Sequence, residues 1–219
     1  MPEEVEMLDF EAFKERYEKV PVEEYPNNVR EAVPEPVVSV HLLTYNHADY
    51  IREAIESVLM QEVDFPMEIV LGDDDSSDGT REICIEYAEQ YPDLIRLQLH
   101  HRENNRKLNG APTHLFQFYY NTFQLRGRYF AILSGDDYWT DPMKLQKQAY
   151  FLEDNDECVF IHHPWISEYP EERSLSVDAL IQKKKHLGKS GNHRSTRLGC
   201  YEQVPLPYIL NAWMCFAKM

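Results

Sequence analysis

Two adjacent carboxylates, Asp136 and Asp137, follow the apolar run Tyr129-Phe130-Ala131-Ile132-Leu133. Acids held together at the end of such a run repel one another and resist burial unless a cation neutralises them. Hard divalent ions take carboxylate and phosphate oxygens together, so the pair suits a cation that meets an anionic ligand. The competing reading is a surface turn ahead of Asp141-Pro142. A second acidic run, Asp73-Asp74-Asp75-Ser76-Ser77-Asp78-Gly79-Thr80, has the composition of a turn. Three consecutive carboxylates nevertheless ask for a ligand or a counter-charge. A calcium loop fails on spacing: counted from Asp74, the twelfth position holds Ile85 and Glu86 comes one residue late. The third polar cluster is Thr44-Tyr45-Asn46. Tyr45, Tyr138 and Trp139 could stack on a base or sugar face, and each could equally be packing. The pairs His100-His101 and His162-His163 are read as structural or surface residues, because neighbours on a strand face opposite ways.

The elements that carry these clusters alternate. Val37–Leu43 is a short β-branched run of the kind found in buried parallel strands. Residues 48–61 place Ile51, Ile55, Val58 and Leu59 on one helical face. Met67–Leu71 predicts a second strand, and Gly79–Tyr91 a second helix capped by Ser77 or Asp78. Ile95, Leu97 and Leu99 alternate as a third strand. Residues 112–124 are expected to be helical, and Tyr129–Leu133 to be a fourth strand. Asp141-Pro142 opens a helix to about Leu152, and Cys158–Ile161 predicts a fifth strand. The alternation gives an α/β fold with a mostly parallel sheet covered on both faces. In such sheets ligands bind beyond the carboxyl ends of the strands, and the three polar clusters all fall there.

The chain has 219 residues, a length that suits one domain with an appendage. Three regions are expected: an acidic, proline-punctuated extension over 1–35 with a helix through Phe10, Phe13 and Tyr17, a ligand-binding part over 36–163, and a polar, weakly periodic region over 164–219. The extension reads as a docking arm. A formal charge of −16 argues against general affinity for nucleic acid or anionic lipid. No stretch approaches the roughly 18 consecutive apolar residues of a membrane span, and the acidic start lacks the pattern of a secretory signal. The expected location is the cytoplasm, with the inner membrane face as a peripheral alternative. The cluster Lys183-Lys184-Lys185, with His186 and Lys189, reads as a solvated loop or a contact for an anionic acceptor or membrane surface. Cys84, Cys158, Cys200 and Cys215 show no metal-ligand spacing and are expected to be reduced thiols.

Taken in order and spacing, Val38-Ser39-Val40 with Thr44-Tyr45-Asn46, then Asp73–Thr80, then Gly135-Asp136-Asp137-Tyr138-Trp139 resemble the inverting family 2 glycosyltransferases of the GT-A fold. The likeness covers about residues 37–163. It implies a Rossmann-like GT-A sheet and transfer of a sugar from a nucleotide-diphosphate donor, UDP-sugar favoured, to a saccharide or lipid-linked acceptor. Bacterial surface-polysaccharide assembly would be the typical setting. It implies nucleotide contacts by Thr44, Tyr45, Asn46, Asp73, Asp74, Arg102 and Asp136, with Tyr45 against the base and Asp74 accepting a hydrogen bond from it. Asp136 and Asp137 would hold Mn²⁺ or Mg²⁺, and Tyr138 and Trp139 would line the sugar pocket.

Two departures from the family pattern stand out. Ser134 occupies the place where many relatives carry the first acid of an acid-x-acid motif. The general base is not recognisable either: Glu171, Glu172 and Asp178 lie in the acceptor half, but none matches the base motif, and Trp213–Met219 resembles the strand that precedes it. The expectation is therefore a truncated or remnant acceptor side, or a site completed by another chain, with self-association as one route. The main alternative is a nucleotide-sugar binding module without transfer activity. A nucleotidyltransferase ranks last, because Thr44-Tyr45-Asn46-His47 is no Gly-rich basic loop.

Overall fold

The structure is a computed structural model and describes residues 9–162, 199–201 and 215–218. An arm comes first, with helix α1 (Phe10–Tyr17), strand β1 (Glu23–Glu24) and the short helix α2 (Val29–Ala32). Then β2 (Val38–Thr44), α3 (Ile51–Leu59), β3 (Met67–Asp73), α4 (Thr80–Gln90) and β4 (Ile95–Leu99) alternate. A single 3₁₀ turn, η1 (Arg102–Asn104), and the hairpin β5 (Lys107–Leu108) and β6 (Ala111–Pro112) lead into α5 (Leu115–Gln124). The strand β7 (Tyr129–Ser134), helix α6 (Lys144–Asp154), and strands β8 (Phe160–His162), β9 (Gly199–Tyr201) and β10 (Cys215–Lys218) complete the described residues.

The main sheet runs in the order β1-β4-β3-β2-β7-β10-β8-β9. Its centre, β4-β3-β2-β7, is parallel, while β1 and β10 pair antiparallel with their neighbours. The expected mostly parallel α/β sheet between helices is what the chain forms. Val38, Val40 and Leu42 on β2 are fully buried and pack with Ile51, Ile55 and Val58 of α3. A parallel strand covered on both faces needs such a continuous apolar run. Among the described residues no helix is long and apolar enough to cross a membrane.

The expected region boundaries do not divide the sheet. The arm's β1 adds to the β4 edge, and Phe13 is buried against Phe116 and Tyr120 of α5. At the other side β10 sits between β7 and β8, so residues beyond 163 belong to the same sheet. Periodicity could not reveal this, because an inserted antiparallel strand is a long-range pairing. Lys183–Lys185, His186, Lys189, Glu171, Glu172, Asp178 and His163 lie outside the described residues. Cys84 is a free, buried thiol as expected, whereas Cys158 is disulfide-bonded, which corrects the reading of reduced thiols there. Strand pairing also places the backbones of Cys200 on β9 and Cys215 on β10 on either side of β8, an arrangement that sequence spacing does not reveal.

A polar layer is buried between the sheet and α5. His100 Nε2 pairs with Asn121 Oδ1 at 2.8 Å, while neither ring nitrogen of His41 has a hydrogen-bond partner. Burial pushes both imidazoles down to about 3, and His100 adds to the effect at His41. The folded state thus keeps them neutral, and below about pH 6.5 the unfolded chain binds more protons. Their contribution is complete above that pH and is lost as pH falls towards 3, at about 1.4 kcal/mol per pH unit for each. Asp74 and Asp137, pushed up to about 6 by burial, act in the opposite sense, because their folded forms take the proton first. His41→Leu removes one histidine without breaking a hydrogen bond. Its stability, from denaturant titrations between pH 6 and 4, should fall less steeply with acid by about 1.4 kcal/mol per unit. Equal slopes for variant and wild type would mean that His41 does not stay neutral in the fold.

Candidate functional site

Strand register assembles the site. Thr44 pairs with Asp73 across β2 and β3, and Leu43 with Ser134 across β2 and β7. The three polar clusters therefore share one edge, at the carboxyl ends of parallel strands. A cleft of about 470 Å³ opens there. Thr44, Tyr45, His47, Ser134, Asp136 and Asp137 line it from the sheet side, and Arg102, His114, Gln117 and Phe118 from the other.

The turn after β2 is fixed by a reciprocal clasp. Asn46 adopts φ 53°, a left-handed conformation that asparagine tolerates. Its N–H donates to Ser76 Oγ at 2.9 Å, and its Oδ1 accepts from the Ser77 N–H at 3.0 Å. Asn46 therefore ties the β2 and β3 loops together and does not line the cleft. Asp78 takes part in the same joint: its carboxylate accepts from the N–H groups of Ala48 and Thr80.

The second acidic run is turned inward. Asp73 is fully buried and accepts from Arg81 Nε at 2.6 Å. Asp74, also fully buried, accepts from Asn105 Nδ2 at 2.9 Å and from the Arg102 guanidinium at 2.8 Å. These partners do not fully offset burial, which pushes its carboxyl up to about 6. Neither acid lines the cleft. The expectation had Asp73 and Asp74 on a nucleotide; the structure pairs them with arginines, as a buried carboxylate requires. Arg102 itself reaches the cleft and lies 3.7 Å from the centre of the Tyr45 ring, a cation–π contact steadied from beneath by Asp74.

Asp136 and Asp137 line the same cleft after β7. Asp137 donates its backbone N–H to Ser134 O at 3.0 Å, in a tight turn at the end of β7. The Ser134 hydroxyl donates to Asp136 Oδ1, so the residue standing in for the missing acid orients the first carboxylate. Burial, with the Asp136 charge second, pushes the Asp137 carboxyl up to about 6. Gly135 lets these strands approach: a side-chain carbon there would lie 2.6 Å from Thr44 Oγ1 and 3.0 Å from His47 Nδ1.

The aromatic pair divides differently. Trp139 is buried in the main core, with the Lys144 ammonium 4.0 Å from its ring centre, and Tyr138 is half-buried. Neither of these residues, expected at a sugar pocket, lines the cleft. The apolar residue after the acidic turn anchors it to the core instead.

Sequence reasoning missed His47, His114, Gln117 and Phe118. His47 adjoins the Thr44-Tyr45-Asn46 cluster, and its Nε2 lies 4.0 Å from Asp136 Oδ2. A polar residue directly after a recognised cluster was the available signal. The α5 residues gave none, since their position depends on how that helix crosses the sheet edge.

Comparison with known proteins decides the family. Residues 39–201 match the model of glycosyl transferase family 2. The chain belongs to that family. This family 2 chain is 36% identical over 180 residues to an uncharacterised protein of Mycobacterium tuberculosis, covering 77% of this chain and 49% of that one. It is 34% identical to a putative teichuronic acid biosynthesis glycosyltransferase of Bacillus subtilis, covering 75% of this chain and 60% of the other. A mannosyltransferase of Pyrobaculum calidifontis, solved with GDP-Man and Mn²⁺, superposes with a TM-score of 0.47 at 25% identity, over 74% of this chain and 43% of that one. The chain spans about half the length of the Mycobacterium relative.

Proposed function

We propose that this chain carries the donor site of a glycosyltransferase that moves a sugar from a nucleotide-diphosphate donor to a saccharide or lipid-linked acceptor, with inversion. The observation that carries the reading is an acidic pair and an Arg–Tyr stack that line one cleft at the carboxyl ends of the parallel strands. The nucleotide base packs on the Tyr45–Arg102 stack, beside Thr44. A uridine diphosphate donor is favoured through the resemblance at Asp74, which here acts by holding Arg102 in place. The diphosphate then runs towards Asp136 and Asp137.

The donor set there suits Mn²⁺ or Mg²⁺, since two carboxylates under mutual repulsion gain from a hard cation. Among the described residues no group of three or more His, Cys, Asp or Glu side chains could hold an ion alone. Asp136 and Asp137 would supply two ligands, and diphosphate and water oxygens the rest. The cation's chemistry would be to neutralise charge developing on the leaving diphosphate. In the transfer an acceptor oxygen bonds to the anomeric carbon from the face opposite the breaking C–O bond. A general base takes the acceptor's proton. The similarity to a putative teichuronic acid biosynthesis glycosyltransferase supports a saccharide acceptor.

Calorimetric titration with UDP, GDP and dTDP, each with Mn²⁺ and with chelator, tests the reading. The expected result is metal-dependent binding of one nucleotide, UDP first. Binding without sugar transfer would leave a donor-binding module, and no binding to any of them would remove the donor site.

A further inference from the structure

The family match begins at residue 39, yet residues 9–33 pack closely on the domain. We propose that Asn104 is a positioning residue through which this N-terminal arm sets the nucleotide-base end of the cleft. The inference rests on the reading of Tyr45 and Arg102 as the base platform.

Asn104 ends the 3₁₀ turn η1 and is almost fully buried. Its Oδ1 accepts from the N–H groups of Lys19 at 2.7 Å and Val20 at 2.8 Å, and its Nδ2 donates to Val20 O at 2.7 Å. One side chain thus reads the arm's backbone on both its donor and acceptor sides. Such a contact fixes register and depends little on the arm's own side chains.

The same short turn holds the platform. Arg102, two residues before Asn104, stacks on Tyr45 and pairs with Asp74. Asn105, the next residue, donates to both Asp74 oxygens and accepts from the Phe116 N–H at the start of α5. Past it, Lys107 and Leu108 on the hairpin are exposed. A three-residue turn between a strand end and an exposed hairpin has little packing of its own. What holds it is Asp74 on one side and the arm on the other.

The arm is itself well anchored. Phe13 stacks on Phe116 with ring centres 5.4 Å apart, and Phe10 meets Tyr120 edge-on at 5.1 Å. Glu24 pairs through both oxygens with Arg96, each at 3.0 Å, and this pairing holds the Glu24 carboxyl down at about 2 despite burial. The arm therefore grips both α5, whose first turns line the cleft, and η1, which carries Arg102. Cleft geometry depends on it because small misplacements of a binding group are costly.

Two variants break the clasp from opposite sides: Asn104→Ala, and Val20→Pro, which removes one N–H donor and leaves Asn104 intact. Each should weaken Mn²⁺-supported UDP binding about tenfold, with Mn²⁺ affinity measured alone unchanged. The double variant should be no worse than Asn104→Ala. Amide exchange over residues 102–105 should quicken in both single variants, while exchange in β2 and β3 stays as in wild type. Wild-type UDP affinity in a folded Asn104→Ala would overturn the proposal, as would parallel losses of Mn²⁺ and UDP affinity. If wild type binds no nucleotide, the donor-site reading fails instead. The exchange measurement then decides the clasp alone: unchanged protection over 102–105 would refute it.

Discussion

Asp137→Asn should abolish the metal-dependent part of nucleoside diphosphate binding and cut sugar transfer by about 10²–10³-fold, the usual loss when one charge-stabilising group leaves a preorganised site. Asparagine keeps the shape of the side chain but removes its charge and turns one of its two acceptor oxygens into an N–H donor. Asp137 is the decisive member of the pair because it is the more enclosed: burial raises its carboxyl to about 6, while Asp136 is half-exposed at the cleft mouth. Water can partly replace an exposed ligand and much less an enclosed one. Ser134→Ala should do less, since the hydroxyl only orients Asp136. Titrations with Mn²⁺ and with chelator, on variants whose circular dichroism matches wild type, separate these cases. Metal dependence that survives in Asp137→Asn would remove Asp137 from the metal site.

What the sequence disclosed follows from the range of each interaction. The parallel core was legible because β2, β3 and β4 are local apolar runs joined by helices. The convergence of three clusters on one edge followed from that alternation alone. The direction each side chain takes was not legible. Asp73 and Asp74 read as ligands because three adjacent acids need neutralising, and they are neutralised, but by Arg81 and Arg102 from within. Their neutralisers stand 8 and 28 residues further along the chain, so spacing cannot pair them. Trp139 next to an acidic turn looks like a sugar platform in sequence, while its burial is set by α6 packing against the sheet. His47 was passed over because one histidine after a strand has no periodic signature. The arm was seen as a helix and an extended segment, but its attachment through Asn104 joins residues about 85 positions apart.

Glu68→Leu should destabilise the fold by about 3–5 kcal/mol, the range for breaking a buried ion pair from one side. For a chain of this size that lowers the melting temperature by roughly 6–20 °C. Glu68 is fully buried near the start of β3, at the amino-terminal ends of the parallel strands. Its carboxylate accepts from Ser39 Oγ at 2.7 Å and from Arg126 Nε at 2.9 Å, with the fully buried Arg96 guanidinium 3.8 Å away. Leucine there leaves Ser39 without its acceptor and two arginines with too few anions. Glu24 still pairs with Arg96, so the larger part of the loss falls on Arg126. Adding Arg126→Leu should therefore recover part of it, because replacing both partners removes the unpaired charge. A double variant as unstable as the sum of its singles would show that the pair's packing matters and its charge does not. The network stands at the opposite end of the strands from the cleft. Folded Glu68→Leu should thus bind nucleotide like wild type, which separates the residues that hold this sheet together from those that work at its edge.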